Sequence, residues 1–335
     1  MRILITGGGG FLGGSIARRL LARGDAVVCL QHSEALELKK AGAEIRRGDL
    51  ADTGVVAAAA LGCEAVIHTA AKAGVWGPYD SYHRPNVVGT EQVIAACRPH
   101  DIRYLVHTST PSVVYDGSDE DGIDESAPYC ARPMNAYQAT KILAEQLVLA
   151  ADGAQLHTVA LRPHLIWGPG DPHLVPRILT RARKGRLRLI GGAPKRVDAT
   201  YIDNAAAAHV AALDRLVADG SAADCRGRAY FIGNDEPMPL NDLILRIMQA
   251  AGLQQPPPRI GPRRAYALGV ICEGIYRLMR RRSEPPLTRF VARQLSTAHW
   301  FRLDAARRDL GYEPLVDTDT GMRHLAASLA ESAAP

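Results

Sequence analysis

The stretch RILITGGGGFLGGSIARRLLARG, residues 2–24, decides the fold of this 335-residue chain. Arg2–Thr6 is a short run of apolar and β-branched residues, which predicts a buried strand. Phe11–Arg23 carries apolar residues at helical spacing and is followed by Gly24, a residue that commonly ends helices. A strand is therefore predicted to pass through a run of glycines directly into a helix.

The glycines of this turn predict a dinucleotide site. Gly7 and Gly10 directly follow the predicted strand, and Gly13 lies in the first turn of the predicted helix. Glycines let the backbone turn tightly and approach a pyrophosphate, whose charge is met by free N–H groups at the helix N-terminus. A glycine-rich turn without a ligand is the alternative, and it is disfavoured by the surrounding strand–helix–strand pattern.

Strands and helices alternate outward from this turn. Further buried strands are predicted at 26–30, 43–47, 65–68, 102–108, 157–162 and 229–233, and helices at 33–41, 52–62, 86–98 and 135–151. This alternation predicts an α/β fold, a Rossmann-type doubly wound parallel sheet, with a smaller, mostly helical substrate lobe. We expect the nucleotide-binding domain to comprise residues 1–165 and 198–234, and the substrate lobe residues 166–197 and 235–335.

Composition excludes several classes of protein. The hydrophobic fraction is 47% and the charged fraction 22%, which excludes disordered, collagenous and coiled-coil chains. Six scattered cysteines without metal-ligand spacing predict a reduced, cytoplasmic protein without a bound metal. No window approaches the roughly 18–20 apolar residues of a membrane span, so no transmembrane segment is expected.

The net charge of +5 is unevenly distributed along the chain. Residues 177–196 carry +8 and residues 259–308 carry +9, so the remainder is acidic. The apolar residues among these arginines, at 174–190 and 266–279, could form an apolar wall with arginines at its rim, and solvated helix faces are the alternative. The acidic stretch Asp116–Glu125 is expected to be an exposed loop.

Two positions after the second and third strands bear on the cofactor. Gln31, His32 and Ser33 can donate hydrogen bonds to a 2′-phosphate, and no carboxylate occurs there before Glu34, which favours NADP(H) over NAD(H). Asp49, which precedes Leu50, could reach an adenine amino group or could cap the following helix.

A second chemical pattern is Tyr137-x-x-x-Lys141 in a predicted helix. Residues four apart share a helix face, and a neighbouring cation lowers the pKa of a phenol toward the working range. The preceding strand ends in hydroxyl residues between Thr108 and Ser112. Hydroxyls at the carboxyl end of a strand are well placed to hold a carbonyl oxygen.

Together these motifs resemble a known family. TGGGGFLG (6–13), STPSVVY (109–115), YQATK (137–141) and LRPHLIWGPGD (161–171) resemble the extended short-chain dehydrogenase/reductases across essentially the whole chain, and within them the 3β-hydroxysteroid dehydrogenase branch. AAKAGVWGPYDSYHRPNVVGT (70–90) and EPPLTRF (284–290) resemble the reductases of bacterial long-chain olefin biosynthesis.

The resemblance implies roles for individual residues. Tyr137 would protonate a ketone oxygen, Lys141 would hold the nicotinamide ribose, and Thr110 would hydrogen-bond the substrate oxygen, with Ser109 and Ser112 as open alternatives. Ser112 and His164 would face the substrate, although a structural role for His164 is the alternative. Asn86 would lie behind the site or serve in helix packing. The complete set of implied cofactor-binding residues is Gly7, Gly10, Phe11, Leu12, Gly13, Gln31, His32, Ser33, Asp49, Leu50, Ala70, Ala71, Lys72, Tyr137, Lys141 and Pro163.

The resemblance also implies an activity. It is the NADPH-dependent reduction of a long-chain 2-alkyl-3-oxoalkanoic acid to the 2-alkyl-3-hydroxyalkanoic acid in olefin biosynthesis, by a homodimer that could assemble with other enzymes of that pathway. The alternatives are a 3β-hydroxysteroid or sterol-4-carboxylate dehydrogenase, a sugar-nucleotide epimerase, and a non-catalytic nucleotide sensor. No nucleic-acid-binding motif accompanies the basic segments, so a nucleic-acid partner is not expected.

Overall fold

The computed structural model describes residues 1–333 of the chain. The strands of this part are β1 (Arg2–Thr6), β2 (Ala26–Gln31), β3 (Glu44–Arg47), β4 (Ala65–His68), β5 (Tyr104–Thr108), β6 (Glu120–Ile123), β7 (His157–Pro163), β8 (Leu189–Ile190), β9 (Arg196–Val197), β10 (Arg228–Ile232), β11 (Met238–Pro239), β12 (Arg259–Ile260) and β13 (His299–Phe301). The α-helices are α1 (Phe11–Arg23), α2 (Leu36–Lys40), α3 (Thr53–Ala60), α4 (Asp80–His83), α5 (Gly89–Cys97), α6 (Ala136–Ala150), α7 (Leu174–Arg183), α8 (Ile202–Asp219), α9 (Leu240–Ala250), α10 (Pro262–Leu278), α11 (Arg289–Gln294) and α12 (Thr318–Ala333). A π-helical turn, Arg84–Val88, joins α4 to α5.

Seven strands form one parallel sheet in the order β10-β7-β5-β4-β1-β2-β3. The strand order reverses between β1 and β4, and in such sheets ligands bind outside the carboxyl ends of the strands at this point. The predicted doubly wound α/β fold is therefore confirmed.

Apolar layers cover both faces of this sheet. In β1, Ile3 and Ile5 belong to the layer that includes α1 and α8, whereas Leu4 belongs to the opposite layer, which includes α3, α5 and α6. This division follows from the two-residue repeat of a strand, which sends successive side chains to opposite faces. Helix α1 spans the predicted residues and ends at Gly24, whose φ of 93° lies in the left-handed region.

The rest of the described chain builds a smaller body beside the carboxyl ends of the strands. It contains a four-stranded sheet, β11-β9-β13-β6, and a two-stranded sheet, β12-β8. The segments of excess positive charge fall here, since 177–196 spans α7 to β9 and 259–308 spans β12 to β13. Between residues 1 and 333, no helix has the length and apolar character needed to cross a membrane.

The expectation of an exposed loop at Asp116–Glu125 is wrong. Strand β6 lies within this stretch and pairs with β13. Glu120 is only 5% exposed, and its Oε2 lies 3.0 Å from Nδ1 of His299. Burial raises the pKa of Glu120 to about 8, so its carboxyl is protonated at neutral pH and donates to the imidazole. The many carboxylates of this stretch suggested full exposure, whereas Glu120 is buried in its neutral form.

Candidate active site

A large cleft lies at the point where the strand order reverses. Its volume is about 850 Å³, and its walls come from the ends of β1, β2, β3 and β4 together with the segment that precedes α7. The predicted residues that line it are Gly7, Gly10, Phe11, Leu12, Gly13, Gln31, His32, Ser33, Asp49, Leu50, Ala70, Ala71 and Lys72. Tyr137, Lys141 and Pro163 are not part of this lining. The structure thus brings together the predicted residues that follow four separate strands.

The glycine-rich turn forms the floor of the cleft. Gly7 has a φ of 73°, and the Gly10 N–H donates to the Gly7 carbonyl oxygen over 2.9 Å. A Cβ atom added at Gly13 would lie 2.8 Å from Oγ1 of Thr69 and 2.9 Å from the carbonyl carbon of Gly7. Side chains are therefore excluded where the backbone of helix α1 approaches the turn, which leaves its N–H groups open to a ligand.

The end of β2 carries polar side chains and has an arginine beside it. The Gln31 side chain donates to the Ser33 carbonyl oxygen over 3.0 Å. Arg47, at the end of the neighbouring strand β3, donates to the His32 carbonyl oxygen and lies 3.4 Å from the Glu34 carboxylate. Sequence reasoning missed Arg47 because the pairing of β2 with β3, rather than proximity in sequence, brings it here.

Asp49 lies at the edge of the cleft and does not cap helix α3. Its carboxylate accepts from the Ala51 N–H and from Arg84, and these contacts lower its pKa. The N-cap of α3 is Asp52, which accepts from the N–H groups of Gly54 and Val55. The alternative of a helix cap at Asp49 is therefore wrong, and its carboxylate remains available at the cleft.

Tyr137 and Thr110 are neighbours at the end of β5. Burial raises the pKa of Tyr137 above its usual value, and the Thr110 hydroxyl opposes this rise. Thr110 caps a short 3₁₀ helix, where its Oγ1 accepts from the Ser112 N–H over 3.3 Å. Ser109 is 4% exposed, and its hydroxyl has no hydrogen-bond partner in the described chain. Of the three candidate hydroxyls, that of Thr110 is the one that influences the pKa of Tyr137.

Lys141 is buried one turn after Tyr137. Its ammonium donates to the Thr108 carbonyl oxygen over 2.7 Å and to Nε2 of His107 over 3.2 Å. Burial, followed by the ammonium of Lys141, lowers the pKa of His107 well below 6.5, so the imidazole is neutral and can accept this bond. Burial also lowers the pKa of Lys141 to about 8, and the nearby Glu145 carboxylate opposes this fall. Because an ammonium has three donors, one remains for a further partner.

A buried ion pair lies behind Lys141. Both carboxylate oxygens of Glu145 accept from Arg162, at 2.6 and 3.0 Å, and the Tyr129 hydroxyl donates to the same group. Glu145 is fully buried and Arg162 is 4% exposed. The pair fixes helix α6 to strand β7 directly beneath the predicted catalytic residues.

Two amides hold the site together. Asn86 accepts from the Lys72 N–H over 2.7 Å and donates to the Lys72 carbonyl and to Thr140, which ties the loop after β4 to helix α6. Gln138 donates to the carbonyl oxygens of Ser112 and Tyr115, which ties the segment after β5 to the same helix. Asn86 lies in the π-helical turn, so its packing role and its position behind the site coincide. Gln138 was missed, although it stands next to Tyr137 in the YQATK motif.

Pro163 is the last residue of strand β7, and His164 follows it. Nδ1 of His164 donates to the Asp198 carbonyl oxygen over 2.8 Å, and burial lowers the pKa of the imidazole to about 3. This contact is the structural role that the sequence left open, and it leaves only Nε2 for a substrate.

Sequence reasoning also missed the chain that follows His164 and closes over the cleft. Asp171 accepts from three backbone N–H groups at the start of α7 and so holds this helix against the cleft. The cleft residues that were not predicted are Gly9, Leu30, Gly48, Thr69, Pro85, Leu165, Ile166, Asp171, His173 and Leu174. The WGPGD segment (167–171) was the available signal for the residues near Asp171.

Known proteins share this sequence and fold. A model of the 3-beta hydroxysteroid dehydrogenase/isomerase family matches residues 4–260. A 2-alkyl-3-oxoalkanoate reductase of Stenotrophomonas maltophilia is 52% identical over 333 residues, which cover 98% of this chain and 100% of the relative. A protein of the same name from Shewanella oneidensis is 48% identical, over 97% of this chain and 85% of its own. The crystal structure of gox2253, which is 25% identical, superposes with a TM-score of 0.79 over 99% of this chain and 98% of its own.

Proposed function

The chain belongs to the 3-beta hydroxysteroid dehydrogenase/isomerase family and is an oxidoreductase that acts on a CH–OH or ketone group, and we propose that it reduces a 2-alkyl-3-oxoalkanoic acid with NADPH. The product is the corresponding 2-alkyl-3-hydroxyalkanoic acid, and the long-chain acids of olefin biosynthesis are the proposed substrates. The observation that carries this proposal is the meeting of Tyr137 and Thr110 at the carboxyl end of β5, on the same edge of the sheet as the glycine-floored cleft. The names of the two relatives that are about half identical support the substrate class.

The residues present fit a nicotinamide dinucleotide. The N–H groups of Phe11 and Leu12 would meet the pyrophosphate, which could approach closely because nothing larger than hydrogen fits at Gly13. Asp49 would accept from the adenine amino group, and Ala70 and Pro163 would border the nicotinamide half. When bound, this cofactor supplies the hydride that reduces the ketone carbon.

The protein's own groups would manage the oxygen and the proton. Thr110 would donate a hydrogen bond to the ketone oxygen and so position it against Tyr137. The raised pKa keeps the Tyr137 phenol protonated in the resting site, ready to donate its proton to that oxygen as negative charge develops. Lys141, fixed by Thr108 and His107, would direct its remaining N–H toward a ribose hydroxyl. Ser112 and Nε2 of His164 would contact the substrate.

NADPH is the proposed cofactor in preference to NADH. Gln31, His32 and Ser33 line the cleft and would surround a 2′-phosphate, and Arg47 would add a guanidinium beside them. The carboxylate of Glu34 lies 3.4 Å from the Arg47 guanidinium. Arg47→Ala should raise the KM for NADPH about tenfold and leave that for NADH within about twofold, because one charged hydrogen bond contributes about 1.5 kcal/mol. A wild-type enzyme that prefers NADH, or a variant that loses both cofactors equally, would contradict this assignment.

The second candidate substrate class is a 3β-hydroxysteroid or a sterol-4-carboxylate, which the family name favours. The test is the reduction of NADP⁺ by purified enzyme with a 2-alkyl-3-hydroxyalkanoic acid or with a 3β-hydroxysteroid. Oxidation is the easier direction because 3-oxo acids decarboxylate spontaneously. We expect kcat/KM for the acid to exceed that for the 3β-hydroxysteroid by at least about 100-fold. Preference for the steroid would sink the proposal.

The remaining assignments are also proposals. Residues 1–165 and 198–234 would bind the cofactor, and residues 166–197 and 235–335 would enclose the substrate, with β6 reaching from the first set into the sheet of the second. A cytoplasmic homodimer that assembles with other enzymes of the olefin pathway is the proposed working form.

A further inference from the structure

Helix α10 turns an apolar stripe toward solvent. Leu268, Ile271, Ile275 and Leu278 recur every three or four residues, which places them on one helix face. Their exposed fractions are 46, 55, 48 and 86%, in the same order. The opposite face of the helix, which includes the buried Gly269, packs against the start of α11. The outer side of the helix is therefore apolar although it faces solvent.

This exposure is concentrated rather than scattered. The described chain has thirteen large hydrophobic side chains that are substantially exposed, and six of them lie between residues 268 and 279. Single exposed apolar residues need no explanation, whereas a contiguous apolar patch marks a surface that is covered in use.

Arginines flank the stripe at both ends of the helix. Residues 259–282 contain seven arginines and one carboxylate, Glu273. Glu273 is turned inward, where it accepts from Arg289 over 2.9 Å. No carboxylate within residues 1–333 pairs with the arginines at 263, 264 and 280–282. The outer side of α10 therefore presents apolar side chains between two groups of uncompensated positive charge.

The C-terminal end of this helix borders a second cleft. The cleft has a volume of about 360 Å³, and its walls include Trp76, Tyr276 and the Asn135–Ala136 pair. Ala136 is the residue before Tyr137. The C-terminal end of α10 therefore lies beside a cleft whose wall includes the start of helix α6.

We infer that α10 docks the protein on an anionic lipid bilayer and lies in the plane of its surface. An apolar stripe with arginines at its borders buries its side chains at the acyl boundary while the guanidinium groups meet lipid phosphates. A symmetric contact between two copies of this face would place the same arginines against each other, which disfavours a second copy as the occupant. The inference rests on the proposed function only where it explains why docking would be useful. A two-tailed acid partitions into bilayers and would enter through the adjacent cleft.

The test is the binding of the full chain to vesicles without any substrate. Flotation with phosphatidylglycerol–phosphatidylcholine vesicles and with pure phosphatidylcholine vesicles gives the partition coefficients. The apolar variant is Leu268→Ser/Ile271→Ser/Leu278→Ser, with Leu61→Ser/Val217→Ser/Leu315→Ser as the matched control at other exposed positions. The charge variant is Arg263→Gln/Arg264→Gln, with Arg19→Gln/Arg98→Gln as its control.

We expect the wild type to bind the anionic vesicles. The partition coefficient should fall about 25-fold in the charge variant, because each arginine near such a surface contributes about fivefold. The apolar variant should lose binding, and both controls should bind like the wild type. The inference would be overturned if the wild type bound neutral and anionic vesicles equally or if the apolar variant bound like the wild type. It would also be overturned if the wild type were a dimer and the apolar variant alone were a monomer. Turnover of a short-chain, water-soluble 3-hydroxy acid by the wild type is measured in parallel, so a failure of the proposed reaction is detected separately from a failure of vesicle binding.

Discussion

Replacing Gly13 by alanine tests the fit of the glycine-rich turn to a dinucleotide. The added Cβ would lie 2.9 Å from the carbonyl carbon of Gly7, half an ångström inside the 3.4 Å at which ordinary contacts begin, and closer still to the carbonyl oxygen. Backbone atoms cannot rotate away as a side chain can, so the turn must shift relative to α1. Overpacking of this kind costs about 1–3 kcal/mol. If the cost falls on the conformation that binds the pyrophosphate, the Kd for NADPH rises about 5- to 150-fold.

The assay is titration of the variant with NADPH, followed by cofactor fluorescence. Gly153→Ala is the matched control, because a Cβ added at Gly153 meets no atom within 4 Å. The control should bind NADPH like the wild type. A folded Gly13→Ala protein whose Kd stays within about twofold of the wild type would refute the assignment of this turn to the cofactor.

Three further predictions concern the supports of the catalytic residues. Asn86→Ala removes the hydrogen bonds that join Lys72 to Thr140 and should lower kcat at least about tenfold. The control Asn241→Ala, on the second lobe, should leave kcat unchanged. Equal effects of the two substitutions on kcat would contradict a positioning role for Asn86. Because the pKa of Lys141 is about 8, its ammonium loses a proton as the pH rises through that value, and kcat for ketone reduction should fall above pH 8. A kcat that stays constant to high pH would count against the role of Lys141. Glu145→Gln leaves Arg162 buried without its counter-charge and should lower the free energy of unfolding by about 3–5 kcal/mol in urea titrations; a loss below about 1 kcal/mol would show that the pair is dispensable.

The parallel sheet was predictable because its strands are buried on both faces. Continuous apolar runs such as Ala65–His68 are visible in the sequence for that reason, and the strand that forms has the same bounds. Strand β6 was not predictable, because its pairing with β13 joins residues about 180 positions apart and its buried carboxyl is neutral. The two-residue strands β8, β9, β11 and β12 are too short to carry any periodicity.

The residues of the candidate site also divide into those that the sequence predicts and those that it does not. Residues directly after β1, β2 and β4 were predictable, because the carboxyl ends of parallel strands converge on the cleft. The Leu165–Leu174 segment reaches the same cleft, and Arg47 reaches the His32 carbonyl oxygen, through tertiary packing. Likewise, the Y-x-x-x-K spacing indicated that Tyr137 and Lys141 share a helix face, but not that His107 and the Thr108 carbonyl hold the ammonium.

The most direct test of the account is the turnover of Tyr137→Phe. This change removes the hydroxyl that would protonate the substrate oxygen and leaves the glycine-floored cleft intact. With a 2-alkyl-3-hydroxyalkanoic acid and NADP⁺, we predict that kcat falls by at least about 100-fold, the usual contribution of a general acid–base group, while the Kd for NADPH stays within about twofold of the wild type. A variant that binds NADPH normally and keeps more than a tenth of the wild-type kcat would contradict the central role of Tyr137.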